Sequence, residues 1–314
     1  MLDMKIRAFE KSKDLFDIMG VDIVEYMNLK KDTDDHVTHY ANYSGEYYKK
    51  PHECKVGNEK VYFKKCEPQY VHAEIILSRI YNKLGMDTPI VYPWYDKSKW
   101  PQTHQNQYRY HIVDGVVSKD VHEVCASAEH IFDMRYYTIK GLFKQFEDLN
   151  ITQRARLKKI EELILSLVFN NKDAGYFNCF WGKSGANASQ YDEFIPIDLG
   201  YAGRDSMYFG DAKEIKKNLY FKGEHGFNGW SNIEEDRATT ILYLSRLLSG
   251  EEIDGVQFSP EDIKILFRLI DEIEKIDFAA VAESIKEDIN WQMHPKFLSS
   301  LEISREDALT ELQK

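Results

Sequence analysis

The chain predicts an α+β fold with a β-rich front and a helical back. From about Tyr40 to Val117 strand signals dominate, with one helix among them. From about Lys119 onward apolar residues recur at helical spacing. Of 314 residues, 43% are apolar and 13% aromatic, so a large core can form. That size suits one two-lobed domain or two ordinary ones. The division expected is an N-terminal extension over 1–39, a small lobe over 40–117 and a helical lobe over 118–314.

The opening stretch, MLDMKIRAFEKSKD, is too charged for a signal peptide, and no apolar run reaches the ~20 residues of a membrane span. These features predict a cytoplasmic chain. Within the extension, DLFDIMGVDIVEYMNL reads as a helix docking on the small lobe or as a partner-binding arm. Next, HECKVGNEKVYFKKC reads as a hairpin turning at Gly57-Asn58. YVHAEIILSRIYNKLG reads as a helix, with Ile76, Ile80 and Leu84 on one face and Gly85 as its C-terminal cap. PIVYPWY and YRYHIVDGVVS follow as strands. Tyr108, Tyr110, Trp94 and Trp100 read as core and rim aromatics, and MRYYTIKGLF as a core segment of the helical lobe.

In the back, Leu157, Ile160, Ile164, Leu167 and Val168 form a helical stripe that runs into NNKDAGYFNCFW. A strand over Phe194–Ile197 then ends on Asp198-Leu199-Gly200, before a glycine-rich loop from Gly203 to Gly229. Ser259-Pro260-Glu261-Asp262 predicts a capped helix start. Ser304-Arg305-Glu306-Asp307 predicts another.

Charge narrows the function. Lys and Arg number 41 against 52 Asp and Glu, a net charge of −11, which disfavours nonspecific binding to nucleic acid. Cys54, Cys66, Cys125 and Cys179 form no CxxC pair, so the expectation is reduced thiols rather than zinc ligands.

Four features then stand in a telling order. Lys64 ends the run Val61-Tyr62-Phe63-Lys64. Glu74 lies on the helix that follows. Asp173 follows the long helix, with Asn178 five residues on, and Asp198 closes a strand. Transfer of a phosphoryl group from ATP needs a cation on the α/β-phosphates, a carboxylate to hold that cation, a base for the acceptor hydroxyl, and hard oxygen ligands for Mg²⁺. Lys64, Glu74, Asp173, and Asn178 with Asp198 suit those roles in turn. Gly200 is expected to let the backbone turn sharply beside Asp198. Each feature alone has a plain structural reading: a solvated lysine, an exposed helix charge, a capped loop, a strand end.

With these residues, from about Ser44 to at least Tyr201, the chain resembles the HipA-like branch of the protein-kinase superfamily, which includes the CtkA-like kinases. The stretches that carry the resemblance are VYFKK, HAEIILSRIYNKLGMDTP, DGVVSKDV, FNNKDAGYFNCFW and IPIDLG. The resemblance implies a bilobal kinase-like fold, ATP with Mg²⁺ or Mn²⁺, and phosphorylation of Ser or Thr. It implies Asp173 as base, and Asn178 and Asp198 as metal ligands. YSGEYYKK is the candidate phosphate-covering loop, with backbone N–H groups from Ser44 and Gly45 and charge from Lys49 or Lys50. The adenine edge is expected near Ile112, Val113 and on to Val116.

The chain departs from the family. Family loops commonly read Asp-Arg-His-x-x-Asn, and this one reads Asp173-Ala174-Gly175-Tyr176-Phe177-Asn178. Lys172 replaces the Arg of conventional kinases and cannot fork onto a phosphate bidentately. Tyr62 stands where those kinases keep a small residue, which leaves room for Lys65 rather than Lys64 to face the phosphates. Two other functions stay open: a kinase for a small molecule or lipid head group, and a catalytically silent nucleotide-binding module acting through a regulatory or antitoxin-like protein partner.

Overall fold

The structure is a computed structural model. It describes residues 52–56, 59–65, 68–94, 115–131, 139–171, 178–184, 189–201, 233–289 and 292–312. Ser44, Gly45, Lys49, Lys50, Ile112, Val113 and Asp173 lie outside these residues, as do the 1–39 extension and the 203–229 loop. The described residues form a mixed helix-and-strand structure with two small sheets.

The front sheet has four strands: β1 (His52–Val56), β2 (Glu59–Lys65), β3 (Val91–Trp94) and β4 (Gly115–Lys119). Their order is β1-β2-β4-β3, antiparallel throughout. Val56 pairs with Glu59, so the hairpin loop has the two-residue length expected of Gly57-Asn58. β4 lies between β2 and β3, and Val116 pairs with both Lys64 and Pro93. Val116 is thus an interior position of a strand flanked on both sides, where its N–H and C=O serve the sheet. This corrects the adenine-edge expectation at Val116. The chain leaves the sheet at Lys119, and α2 (Val121–Val124) starts there, with buried Asp120 as its N-cap.

Helix α1 (Pro68–Lys83) joins β2 to β3 and is buried on nearly every side from Tyr70 to Ser78. An apolar surround of that kind marks a core helix rather than a surface one. Gly85 ends it as expected, at φ 78°. Its N–H donates to the Asn82 carbonyl and that of Met86 to the Tyr81 carbonyl, a Schellman ending sealed by the buried Met86 side chain.

Helices α3 (Ile139–Asp148) and α4 (Gln153–Val168) follow. All five residues of the predicted α4 stripe are buried. The second sheet pairs β5 (Cys179–Gly182) with β6 (Glu193–Pro196), and it packs on α4. A helical group closes the core: α5 (Ile233–Leu248), α6 (Pro260–Glu274), α7 (Phe278–Ile289) and α8 (Pro295–Leu312). α6 begins with the predicted capping box, Ser259 with Asp262, and Pro260 in its first turn.

The predicted start at Ser304 is a correction. Ser304 lies inside α8, which begins at Pro295. Its hydroxyl is buried and donates to the Val168 carbonyl at 2.6 Å. The Ser-x-x-Asp spacing mimics a cap, but the serine satisfies the end of another helix.

Candidate active site

Lys64 reaches in from β2. Its ammonium pairs directly with the Asp198 carboxylate and lies 3.7 Å from Glu74 Oε1. Strand alternation puts Tyr62 and Lys64 on one face. Glu74 comes from the buried middle of α1, and its side chain is 6% exposed against 14% for Lys64 and 26% for Asp198. Lys64 and Glu74 are near in sequence and Asp198 is far from both, and the sheet, the core helix and the second hairpin bring the three together.

Asp198 follows β6 in the left-handed region, φ 54°. Aspartate tolerates that region better than most residues. The bend turns the chain into a short 3₁₀ segment, Leu199–Tyr201, which packs on α1. There the Leu199 N–H donates to Glu74 Oε2 at 3.1 Å. Gly200 has a different task from the one expected. The left-handed residue is Asp198, and Gly200 provides close approach: a Cβ on it would stand 3.2 Å from Glu74 Oε1 and 3.4 Å from Tyr70 Cβ.

Two carboxyls and one ammonium cannot all stay charged at no cost. Burial, then the charge of Asp198, pushes Glu74 up to about 8, against the opposing pull of Lys64. Burial works to raise Asp198 too, but the Lys64 ammonium and its hydrogen bond outweigh it. A hydrogen bond with Glu74 and the Gly200 N–H assist, and Asp198 is held below the usual carboxylate range. At neutral pH these pulls favour an ionised Asp198 beside Lys64 and a proton on Glu74.

Asn178 precedes β5. Its carbonyl accepts the Ile197 N–H at 2.9 Å, which extends the β5–β6 ladder by one pair. Asn178 thus stands across from Ile197, at the same end of the hairpin as Asp198. Among the described residues no group of three or more His, Cys, Asp or Glu is placed to hold a metal by itself. One carboxylate and one amide oxygen suit Mg²⁺, which keeps several waters or takes phosphate oxygens for its remaining positions.

Asp173 lies outside the described residues, but the end of the helix leading to it is firmly built. Asn170 sits at φ 51°, and its N–H donates to the Leu167 carbonyl. The Asn171 N–H donates to the Ser166 carbonyl at 2.8 Å, completing a second Schellman ending. Ser304 takes the Val168 carbonyl. Sequence reading singled out neither Asn170 nor Thr88 as a positioning residue. Asn170 had a usable signal, since Asn is the usual stand-in for Gly where an apolar stripe stops. Thr88, whose hydroxyl donates to the Pro196 carbonyl at 2.7 Å, had none.

No family model matches the chain, and no curated protein sequence matches it. Among solved structures, it is similar to the crystal structure of a Helicobacter pylori proinflammatory kinase, CtkA. That similarity has 15% identity and a TM-score of 0.49, and it covers 87% of this chain and 94% of that chain.

Proposed function

We propose that the chain is an ATP-dependent kinase of HipA-like type that transfers the γ-phosphate of ATP to a serine or threonine hydroxyl of a protein. The observation that carries this reading is the meeting of Lys64, Glu74 and Asp198, with Asn178 bonded through its backbone to Ile197, the residue before Asp198. The motif resemblance along 44–201, carried by the stretches that contain these same residues, agrees with it. A structural ion pair is complete with one carboxylate for one lysine. Here a second carboxyl, which burial keeps protonated, stands beside the pair; a phosphate site uses both, one to hold the lysine and one to hold the metal.

In this reading Lys64 leaves Asp198 for the α/β-phosphates, and Glu74 keeps the ammonium within reach. Asp198 and Asn178 would hold Mg²⁺, which supplies charge neutralisation across the phosphates when bound. Asp173 orients the acceptor hydroxyl and accepts its proton. We place the adenine edge on the segment that leaves β4 after Lys119, where the chain is no longer paired in the sheet; Ile112 and Val113, the other candidates, lie outside the described residues.

The test is transfer of labelled γ-phosphate from ATP, with mass-spectrometric mapping of the acceptor. Label on serine or threonine of this protein or of lysate proteins supports the reading. Label on a small molecule or lipid head group alone moves it to the second enzyme class. Nucleotide binding without any transfer moves it to the silent module. Asp173→Asn keeps the shape and loses the base, so transfer should fall by ~10²–10⁴-fold. A variant within a factor of about three of the parent removes Asp173 from the mechanism.

A further inference from the structure

We infer that Thr88 is a positioning residue that fixes the Asp198 strand relative to the Glu74 helix, an inference that rests on the phosphoryl-transfer reading of the site. Thr88 is buried, in the loop between α1 and β3. Its carbonyl accepts Asn82 Nδ2 at 2.9 Å, and the same amide donates to the Ser78 carbonyl at 2.7 Å. The Val91 N–H donates to Ser78 Oγ at 3.3 Å, and Arg79 Nη1 donates to the Val91 and Ile75 carbonyls, each at 2.9 Å. These bonds tie the loop and the start of β3 to α1 from Ile75 to Asn82, and Glu74 stands on the same helix one residue before Ile75.

The other end of the tie is Pro196, two residues before Asp198. Pro196 pairs with Cys179, next to the pair formed by Ile197 and Asn178, whose backbone bond is in place. In an antiparallel ladder, hydrogen-bonded and non-bonded pairs alternate. Pro196 thus occupies a non-bonded position, which suits a residue with no N–H, and its carbonyl points away from β5. The Thr88 hydroxyl satisfies that outward carbonyl at 2.7 Å. Besides the Glu74–Asp198 hydrogen bond within the charged set, the Glu74 helix and the Asp198 strand are joined among the described residues at two points: Leu199 N–H on Glu74, and Thr88 on Pro196. The first point changes whenever Glu74, Lys64 and Asp198 exchange partners. The second contains no titratable group and no candidate metal ligand. It can hold β6 in place while Lys64 moves from Asp198 to phosphate.

Thr88→Val keeps the shape and deletes the donor. Two quantities should move: the exchange rate of the Leu199 amide, followed by NMR, and the Mg²⁺ midpoint for ATP binding, followed by titration well below the melting temperature. Loss of one buried hydrogen bond corresponds to about a fivefold change in each. The Leu199 rate should rise beyond any common rise at α4 core amides such as Ile164, and Thr88→Ser should restore both quantities. The inference is overturned if Leu199 rises only in step with Ile164 and the Mg²⁺ midpoint stays put. It is equally overturned if Thr88→Ser behaves as Thr88→Val, since the methyl group is then what matters. Wild-type protein that binds ATP without regard to Mg²⁺, or not at all, overturns the phosphoryl-transfer reading. The exchange arm then decides by itself whether Thr88 holds the Asp198 strand.

Discussion

Two lysine–glutamate arrangements meet the chain along β6, one at Phe194 and one just beyond the strand at Asp198, and they are built to opposite rules. Lys159 and Glu162 sit three residues apart on α4, with Nζ–Oε2 at 2.8 Å and both side chains 3% exposed. Ser166 donates to the remaining oxygen of Glu162 at 2.6 Å, and the Lys159 ammonium lies 5.0 Å from the centre of the Phe194 ring. One cation meets one anion, and the surroundings complete both. Burial works against the Lys159 charge, but the Glu162 carboxylate outweighs it and holds the ammonium above its ordinary range. Lys64 and Glu74, by contrast, come from different elements, stand 3.7 Å apart, and share the site with a second carboxylate. A matched, sealed pair fixes a structure. A partly exposed set whose balance depends on a proton held by a second carboxyl leaves a charge to rearrange when a phosphate or metal arrives. Cys179 belongs to the first kind of environment: burial pushes its thiol up to about 11, which keeps it unreactive, as the sequence led one to expect of reduced buried cysteines.

The contrast is sharpest when each lysine is removed. Lys159→Met leaves a carboxylate buried without its cation, a change that costs ~3–5 kcal/mol. Lys159→Met with Glu162→Leu should recover most of that loss, because apolar replacement of a whole buried pair is often neutral. Ser166 can then turn to a carbonyl one helical turn back. Lys64→Met should cost about 1 kcal/mol or less, since Asp198 is partly hydrated and Glu74 already holds a proton, yet phosphoryl transfer should be lost. Urea denaturation of the three variants checks the ranking. A larger loss of stability in Lys64→Met than in Lys159→Met would reverse the assignment of the two arrangements.

A second difference is pH dependence. Unfolded Glu74 titrates near the ordinary 4.5, and in the fold it is pushed to about 8. Below pH 4.5 both states are protonated and nothing changes. Between 4.5 and 8 the unfolded chain has released the proton and the folded chain keeps it, so stability falls as pH rises, by at most ~1.4 kcal/mol per pH unit. Above 8 both are ionised and the effect levels off. Asp198 acts with the opposite sign and lower on the scale, because its depressed carboxyl adds stability that is lost as pH drops below about 3.8. Glu74→Gln cannot ionise, yet it can still accept the Leu199 N–H. Its stability should be flatter than the parent's between pH 4.5 and 8 in nucleotide-free protein. Parallel curves for the two proteins would place the titration elsewhere.

The sequence made the local parts of this molecule legible and left the long-range ties hidden. The hairpin at Gly57-Asn58, the Gly85 ending and the Ser259 capping box each follow from a few neighbouring residues, and all three are present. The order of Lys64, Glu74, Asn178 and Asp198 along the chain was legible too, since each ends or rides a recognisable element. Whether Tyr62 and Lys64 or Lys65 faced the acidic residues was not, because both registers alternate equally well. The side chain that reaches the carboxylates is that of Lys64. Ser304 was misread because a Ser-x-x-Asp spacing looks the same at a helix start and inside a helix whose serine finds a carbonyl elsewhere. The interior place of Val116 depended on strand order, which no local pattern states. The role of Gly200 was mistaken for a similar reason: the residue that bends is its neighbour, and what glycine provides is visible only against Glu74.

Gly200 also gives the smallest and most selective test. A methyl group there would stand 3.2 Å from Glu74 Oε1 and 3.3 Å from Glu74 Cγ, so Glu74 must retreat by a few tenths of an ångström. Overpacking of this kind costs ~1–3 kcal/mol. Gly200 is not left-handed, so alanine also narrows the unfolded ensemble and returns ~0.4–1 kcal/mol. The net loss of stability in Gly200→Ala should be about 1 kcal/mol. Its effect on the site should be disproportionate, because Glu74 is the residue that holds Lys64, and a retreat lengthens a separation already at 3.7 Å. The measurement is the rise in melting temperature with ATP and Mg²⁺ over that with ATP and a chelator, taken for parent and variant at the same concentrations. A smaller metal-dependent increment in Gly200→Ala, with the nucleotide-free melting temperature lowered by only a few degrees, fits a site tuned by close approach. An unchanged increment would mean that the fit of Gly200 against Glu74 is ordinary core packing, and that the Lys64 set tolerates displacement as well as the sealed pair on α4 resists it.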